Sequence, residues 1–264
     1  MEDLPLPIDA KLHSLSTNKR RGRPDLFVIQ SIATTILLHG LGSGGEKFWV
    51  EFLESGISSA GIAMVNQWFN LASLENPVEC TDLQIDGLGE SARHVRSILS
   101  QEMEVVPPQN IILGGLSQGC AMAVFILLSL EFPIGGFVGM SGWLPFEKDL
   151  GEIVRLGGAK DGETETGHAV GLARDVLSIE ENNVTSLTHD HTCLETPTFL
   201  GHGEKDEKIK CKFREGAAKT LASLGLDVVW KSYAELGHWY GIPDEIDDIL
   251  GFLRDTLTLG KINN

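Results

Sequence analysis

The stretch Ile112–Leu130, ILGGLSQGCAMAVFILLSL, sets a lone hydroxyl between glycines where one apolar run ends and another begins. The residues just before the junction, Asn110–Leu113 (NIIL), are rich in β-branched side chains and suit a strand. Those after it, QGCAMAVFILLSLEF, have the length of a helix. Between them, Gly115-Leu116-Ser117-Gln118-Gly119 fits the pattern G-x-S-x-G. There, glycines permit a sharp strand-to-helix turn that lifts the serine oxygen clear of the sheet. The helix start also directs main-chain N–H groups toward negative charge developing nearby. A glycine-rich turn with a capping serine is the plain alternative, so the rest of the chain must supply the serine's partners.

A serine hydroxyl is a poor nucleophile until a base takes its proton, and the base needs an orienting carboxylate. In the order set by this kind of elbow, acid and then histidine follow the serine. His238, in AELGHWYGIPDE, falls between a strand-like run and the last helix, where that base belongs. His202 comes directly after a strand, too early to leave an acid upstream of it. The acid is expected just beyond TPTFLGH, where Glu204, Asp206 and Glu207 are candidates and Asp206 is best spaced to reach back from a loop. An oxyanion would need two main-chain donors. The N–H of Gln118, directly after the nucleophile, is one; Leu41, in the glycine-rich HGLGSGG (His39–Gly45), is the best candidate for the other. His39 reads as a core or loop-bracing residue.

Working outward, short β-rich runs alternate with segments of helical period. This predicts an α/β fold with a mostly parallel sheet covered by helices on both faces. Strands are expected at Thr34–Leu38, Ile62–Asn66, Asn110–Leu113, Phe137–Met140, Thr198–Leu200 and Asp227–Tyr233. Leu88, Ala92, Val95, Leu99 and Met103 share one helix face, as do Phe213, Ala217, Leu221 and Leu224. In the last helix, Pro243 and four acidic residues suit the first turn, and Ile246, Ile249, Leu250, Leu253 and Leu257 form the stripe. Residues 1–30 read as an arm or added hairpin, and 31–264 as one domain. Residues 147–195 separate two strands by far more than an ordinary βα loop and form an insertion, either a lid or a surface elaboration.

Composition narrows the function classes. A chain of 264 residues with 42% hydrophobic content can bury a large core. A formal net charge of −16 repels phosphate backbones and anionic headgroups, which argues against nucleic acid as a partner; the run Lys19–Arg23 reads as a solvated segment. No apolar stretch approaches the roughly 20 residues of a membrane span, so stable membrane insertion is not expected. The start, MEDLPLPIDAKL, lacks the basic and apolar regions of a secretory signal, and the four cysteines form no CxxC pair. A cytoplasmic protein with free thiols is the expectation. His189, His191 and Cys193 alternate in HDHTC, but three ligands without a fourth make a weak zinc signature. No nucleotide-binding glycine motif is present. Neither a metal nor another cofactor is expected.

The motifs HGLGSGG, QWF, DGLGESA, GGLSQG, SGWLP, TPTFLGHGEKD and ELGH, in this order, resemble the phospholipase/carboxylesterase family of α/β-hydrolases, which includes acyl-protein thioesterases. The resemblance runs from about Thr34 to Leu257. It implies the α/β-hydrolase fold, Ser117, Asp206 and His238 as catalytic triad, and Leu41 with Gln118 as oxyanion donors. It further implies that Trp68, Phe69, Trp143 and Leu144 line an acyl-binding surface. Asn70 stands where the family usually has Asp, Trp239 where a small residue is common, and KIKCK where Val-Pro is usual. The expected activity is cofactor-independent cleavage of a carboxylic ester or thioester through an acyl-enzyme. Its substrate would be a small molecule, a lipid or an acylated protein. A specialised small-metabolite esterase and a non-catalytic scaffold that binds a ligand are the alternatives. Nothing in the sequence fixes the oligomeric state.

Overall fold

A computed structural model describes residues 11–15, 26–30, 34–41, 61–63, 67–156, 165–179 and 192–257, the segments 11–15, 26–30 and 61–63 as backbone only. Its frame is an eight-stranded sheet. The strands are β1 (Lys11–Leu15), β2 (Leu26–Gln30), β3 (Thr34–Leu38), β4 (Gly61–Ala63), β5 (Ile111–Leu116), β6 (Gly136–Met140), β7 (Thr198–Gly203) and β8 (Val228–Tyr233). They lie in the order β1-β2-β4-β3-β5-β6-β7-β8. The run from β4 to β8 is parallel, while β1 and β2 pair antiparallel and join its edge at β4.

Alternating side chains on the central strands feed two separate cores, because successive residues of a strand face opposite sides of the sheet. Ile36, Leu38, Ile111, Leu113, Phe137 and Leu200 enter one cluster, whereas Leu37, Ile112, Val138, Met140 and Phe199 enter the other. The first is covered by α1 (Ile85–Met103), α2 (Gln118–Leu128), α3 (Glu147–Leu156), α4 (Glu165–Val176) and α5 (Cys211–Ser223). The second is covered by α6 (Asp244–Thr256), through Ile246 and Ile249. Every residue of α2 is buried, which explains why its sequence is apolar all round rather than striped.

Several expected boundaries shift. The third expected strand begins one residue late, because Pro108–Asn110 form a 3₁₀ turn, and it runs on through Gly114, Gly115 and Leu116. β7 likewise extends through Gly201, His202 and Gly203. Glycine is a poor strand former, but pairing to neighbours on both sides overrides that local preference. Residues 64–66 of the second expected strand lie outside the described residues. Within 147–195, Ala169, Ala173, Val176 and Leu177 are buried in the first core, and Leu172 packs against it. Phe125 of α2 is fully buried beside Phe146, their ring centroids 5.7 Å apart. Phe125→Ala is therefore expected to destabilise the fold by about 3–5 kcal/mol, measured by denaturant unfolding.

Candidate active site

All the strands that carry site loops are parallel, so the chain leaves β3, β5, β6, β7 and β8 at one edge of the sheet. The ends of such strands are where α/β folds bind ligands. Ser117 follows β5 directly, with φ 56° and ψ −120°, a conformation that costs an L-residue on the order of 1–3 kcal/mol. Its N–H donates to Met140 O (2.9 Å), and its own carbonyl accepts from Ala121 N (3.1 Å), so strand and helix hold the turn from both sides. The two flanking glycines are required sterically. A Cβ on Gly119 would lie 2.2 Å from Leu38 O and one on Gly115 2.6 Å from the same oxygen.

The three residues expected from sequence meet here. His238 Nε2 lies 3.0 Å from Ser117 Oγ, and His238 Nδ1 lies 2.8 Å from Asp206 Oδ2. His238 is in the loop after β8, and Asp206 is in the loop after β7. The other Asp206 oxygen, Oδ1, accepts from the main-chain N–H groups of Lys208 and Ile209, both at 2.9 Å. Burial by itself would raise the Asp206 carboxyl. The hydrogen bonds from His238 and Ile209, with the charges of His238 and His202, hold it below the ordinary value instead. Glu204 is exposed and accepts from Ser232 Oγ (3.0 Å), so it is not part of this arrangement.

The main chain at Gly40 passes against Ser117: a Cβ there would lie 3.2 Å from Ser117 Cβ and 3.8 Å from Oγ. Leu41 follows it, 38% exposed. His39 is buried, its Nδ1 2.7 Å from Gly40 O, in the bracing role expected of it; burial lowers its pKa. Gln118 begins α2, and its side chain does more than sequence reading assigned to it. It accepts from Trp68 N (3.0 Å) and donates to Phe69 O (2.6 Å), while Trp68 Nε1 donates to His39 O (2.9 Å). The segment carrying Trp68 and Phe69 is thus tied to the elbow and to the β3 loop.

The expectation that Trp68, Phe69, Trp143 and Leu144 line a binding surface needs correction. Their exposures are 2%, 2%, 0% and 0%, and all four belong to the first core cluster. Phe69 and Trp143 meet edge to face, ring centroids 6.1 Å apart. Hydrogen bonds to the main chain at 68 and 69 draw these rings inward, a contact that motif position alone does not reveal. His189 and His191 lie outside the described residues. Cys193 is buried, and burial pushes its thiol up to about 12. Among the described residues no group of three His, Cys, Asp or Glu side chains is placed to hold a metal ion.

Two further polar residues shape the site without a sequence signal of their own. Ser141, at the end of β6, donates from Oγ to Trp239 O (3.1 Å) and so holds the residue after His238. Glu245, which the sequence suggested only as a favourable charge in the first turn of α6, is fully buried and accepts Gly241 N–H at 2.7 Å.

Strand, strained turn and buried helix together define an α/β-hydrolase fold. The phospholipase/carboxylesterase family model matches residues 54–157. Acyl-protein thioesterase 1 of Gibberella zeae is 26% identical over 250 residues, 86% of this chain and 92% of that protein. Acyl-protein thioesterase 1 of Kluyveromyces lactis is 25% identical over 246 residues, covering 85% and 92%. Among solved structures, Arabidopsis thaliana SOBER1 superposes with a TM-score of 0.62 at 20% identity, covering 85% of this chain and 99% of that one. Zea mays acyl-protein thioesterase 2 superposes with a TM-score of 0.60 at 22% identity, covering 94% and 100%. These similarities point to the phospholipase/carboxylesterase family and indicate an ester-cleaving hydrolase. Among the described residues no helix is long and apolar enough to cross a membrane.

Burial pushes the Glu245 carboxyl up to about 7, against the opposing effects of the Gly241 N–H and the Arg214 charge. The folded protein therefore keeps this proton to higher pH than the unfolded chain, which releases it near 4.5. The associated stability is fully present below 4.5 and is lost as pH rises through 7. Glu245→Gln removes this titration. Between pH 5 and 8 the variant is expected to lose less stability than the wild type, by up to about 3 kcal/mol, in chemical denaturation at the two pH values.

Proposed function

We propose that the chain cleaves acyl esters or thioesters through a Ser117-His238-Asp206 triad and a covalent acyl-enzyme. The observation that carries this reading is the continuous hydrogen-bond chain from Ser117 Oγ through both ring nitrogens of His238 to Asp206 Oδ2. In this mechanism His238 Nε2 takes the Ser117 proton as Oγ attacks the acyl carbonyl, while Asp206 holds the imidazole in the required tautomer and faces the imidazolium that forms. The same proton passes to the departing alcohol or thiol. Water, activated by His238, then attacks the acyl-enzyme and releases the acid.

The N–H groups of Gln118 and Leu41 are the proposed donors to the oxyanion. Gln118 opens α2, where the unpaired amides and the positive end of the helix favour negative charge, and Leu41 follows the main chain that packs on Ser117. Thioester cleavage within the class is favoured by the acyl-protein thioesterase relatives, which would make an acylated protein the substrate. Asp206 and His238 each hold their hydrogen bond in place, and this favours an enzyme over a ligand-binding scaffold.

The helices of the insertion direct their apolar stripe into the core. We therefore read α3 and α4 as part of the layer that supports the elbow helix, rather than as a lid. Trp68, Phe69, Trp143 and Leu144 are read in the same way, as the packed floor beneath the nucleophile.

Covalent labelling by a fluorophosphonate tests the triad: the wild type is expected to label in proportion to lost esterase activity, and Ser117→Ala not at all. Failure of the wild type to label or to hydrolyse any ester would favour the scaffold. A matched series of oxygen esters and thioesters of graded acyl length is expected to give higher kcat/KM for the thioesters; a uniform preference for short oxygen esters would point to a small-metabolite esterase.

A further inference from the structure

Resting on the triad reading above, we infer that His202 is a positioning residue for the reaction, a neutral imidazole whose Nε2–H is the second side-chain donor to the Asp206 carboxylate. His202 lies on β7 and is fully buried. Its Nε2 is 2.8 Å from Ile209 O and 3.3 Å from Asp206 Oδ2. A main-chain carbonyl only accepts, so the proton of this ring sits on Nε2 and is shared between the carbonyl and, more weakly, the carboxylate. The other nitrogen, Nδ1, is buried and has no hydrogen-bond partner. A lone pair is tolerated there, whereas an imidazolium would leave a charged N–H donor unsatisfied. The charged and titratable groups around the ring are Asp206, His238 and, from α5, Arg214; burial first and then Arg214 push the His202 pKa down to about 4, which agrees with the neutral form.

The arrangement completes the acid. Oδ1 takes two main-chain donors and Oδ2 takes two histidines, which fills the roughly four acceptor positions of a carboxylate. His202 and Asp206 also close a ring on one residue: Asp206 accepts Ile209 N–H while His202 donates to Ile209 C=O. The loop between the end of β7 and α5 is thereby fixed at both ends, and with it the oxygen toward which His238 Nδ1–H points. His202 touches neither the serine nor the acyl group; it acts through Asp206. Because its 3.3 Å contact is longer than the 2.8 Å contact of His238, most of the oxygen's charge stays directed at the base.

Two experiments on the full chain test this. In the unmutated protein, ¹⁵N-histidine NMR between pH 6 and 9 is expected to show one buried histidine fixed as the neutral Nε2–H tautomer, assigned to position 202 by its loss in His202→Gln. An Nδ1–H or doubly protonated ring there overturns the proposal without any variant having to be active. Second, His202→Met keeps volume but removes the donor, and His202→Gln restores an N–H. The Met variant is expected to lose kcat roughly ten- to a hundredfold with KM within about twofold. The acid limb of its kcat/KM profile is expected to move to higher pH, because Asp206 then directs more of its charge at the imidazole facing it. The Gln variant is expected to regain most of kcat and the original limb at a similar Tm. Equal loss of activity in both variants, in step with Tm, or unchanged kcat in both, overturns the proposal. Fluorophosphonate labelling separates the two levels: an unlabelled wild type refutes the triad itself, whereas labelling at wild-type rate in His202→Met refutes only the role of His202.

Discussion

The site depends on one steric constraint, the main-chain turn at Ser117. A residue with φ 56° and ψ −120° does not hold that conformation by local preference. It persists because β5 is paired on both sides and because α2, entered immediately afterward, is buried along its whole length. Removing the helix from the core would expose nine apolar side chains at about 1.5–3 kcal/mol for each large one, so the turn is carried by far more energy than its strain costs. The closeness of Leu38 O to Gly115 and Gly119 adds the second half of the constraint: β3, the elbow and α2 approach so tightly that no side chain fits between them.

Around that turn, polar side chains hold the main chain of the surrounding loops. Gln118 holds residues 68 and 69, His39 braces its own loop, Ser141 holds the carbonyl of Trp239, and Glu245 holds Gly241. The buried carboxylate of Glu245 is a stability cost at neutral pH, yet it lies in the segment that ties the His238 loop to α6. A polar group retained in such surroundings is consistent with a site in which loop position matters more than maximal stability.

The proposed triad was legible because its chemistry has a fixed order and each member falls just after a strand that the pattern of apolar residues locates. Ser117, Asp206 and His238 needed no side-chain geometry to be named. The fold was legible for a related reason: apolar strands such as Ile36–Leu38 and Ile111–Leu113 carry hydrophobic residues on both faces, which only a doubly covered sheet explains. What stayed hidden depends on distance through space. A tryptophan at 68 or 143 reads equally well as an open binding wall or as core, and only the hydrogen bonds at 68 and 69 and the contact of Phe69 with Trp143 decide for the core. Chain position rules out His202 as the base, and nothing in the residue pattern signals that its ring returns to the acid four residues on. Glu245 looked like a surface charge at a helix start because burial of a carboxylate leaves no trace in periodicity.

The central claim is that the acyl group passes through the oxygen at position 117. Rapid mixing with an activated acyl ester or thioester, acid quench and peptide mass mapping tests it most directly. The account predicts an acyl adduct on the peptide containing Ser117, formed within the first turnover, lost at the rate of steady-state hydrolysis and absent from Ser117→Ala. Steady hydrolysis by the wild type with no adduct on that serine, or hydrolysis undiminished in Ser117→Ala, would contradict it.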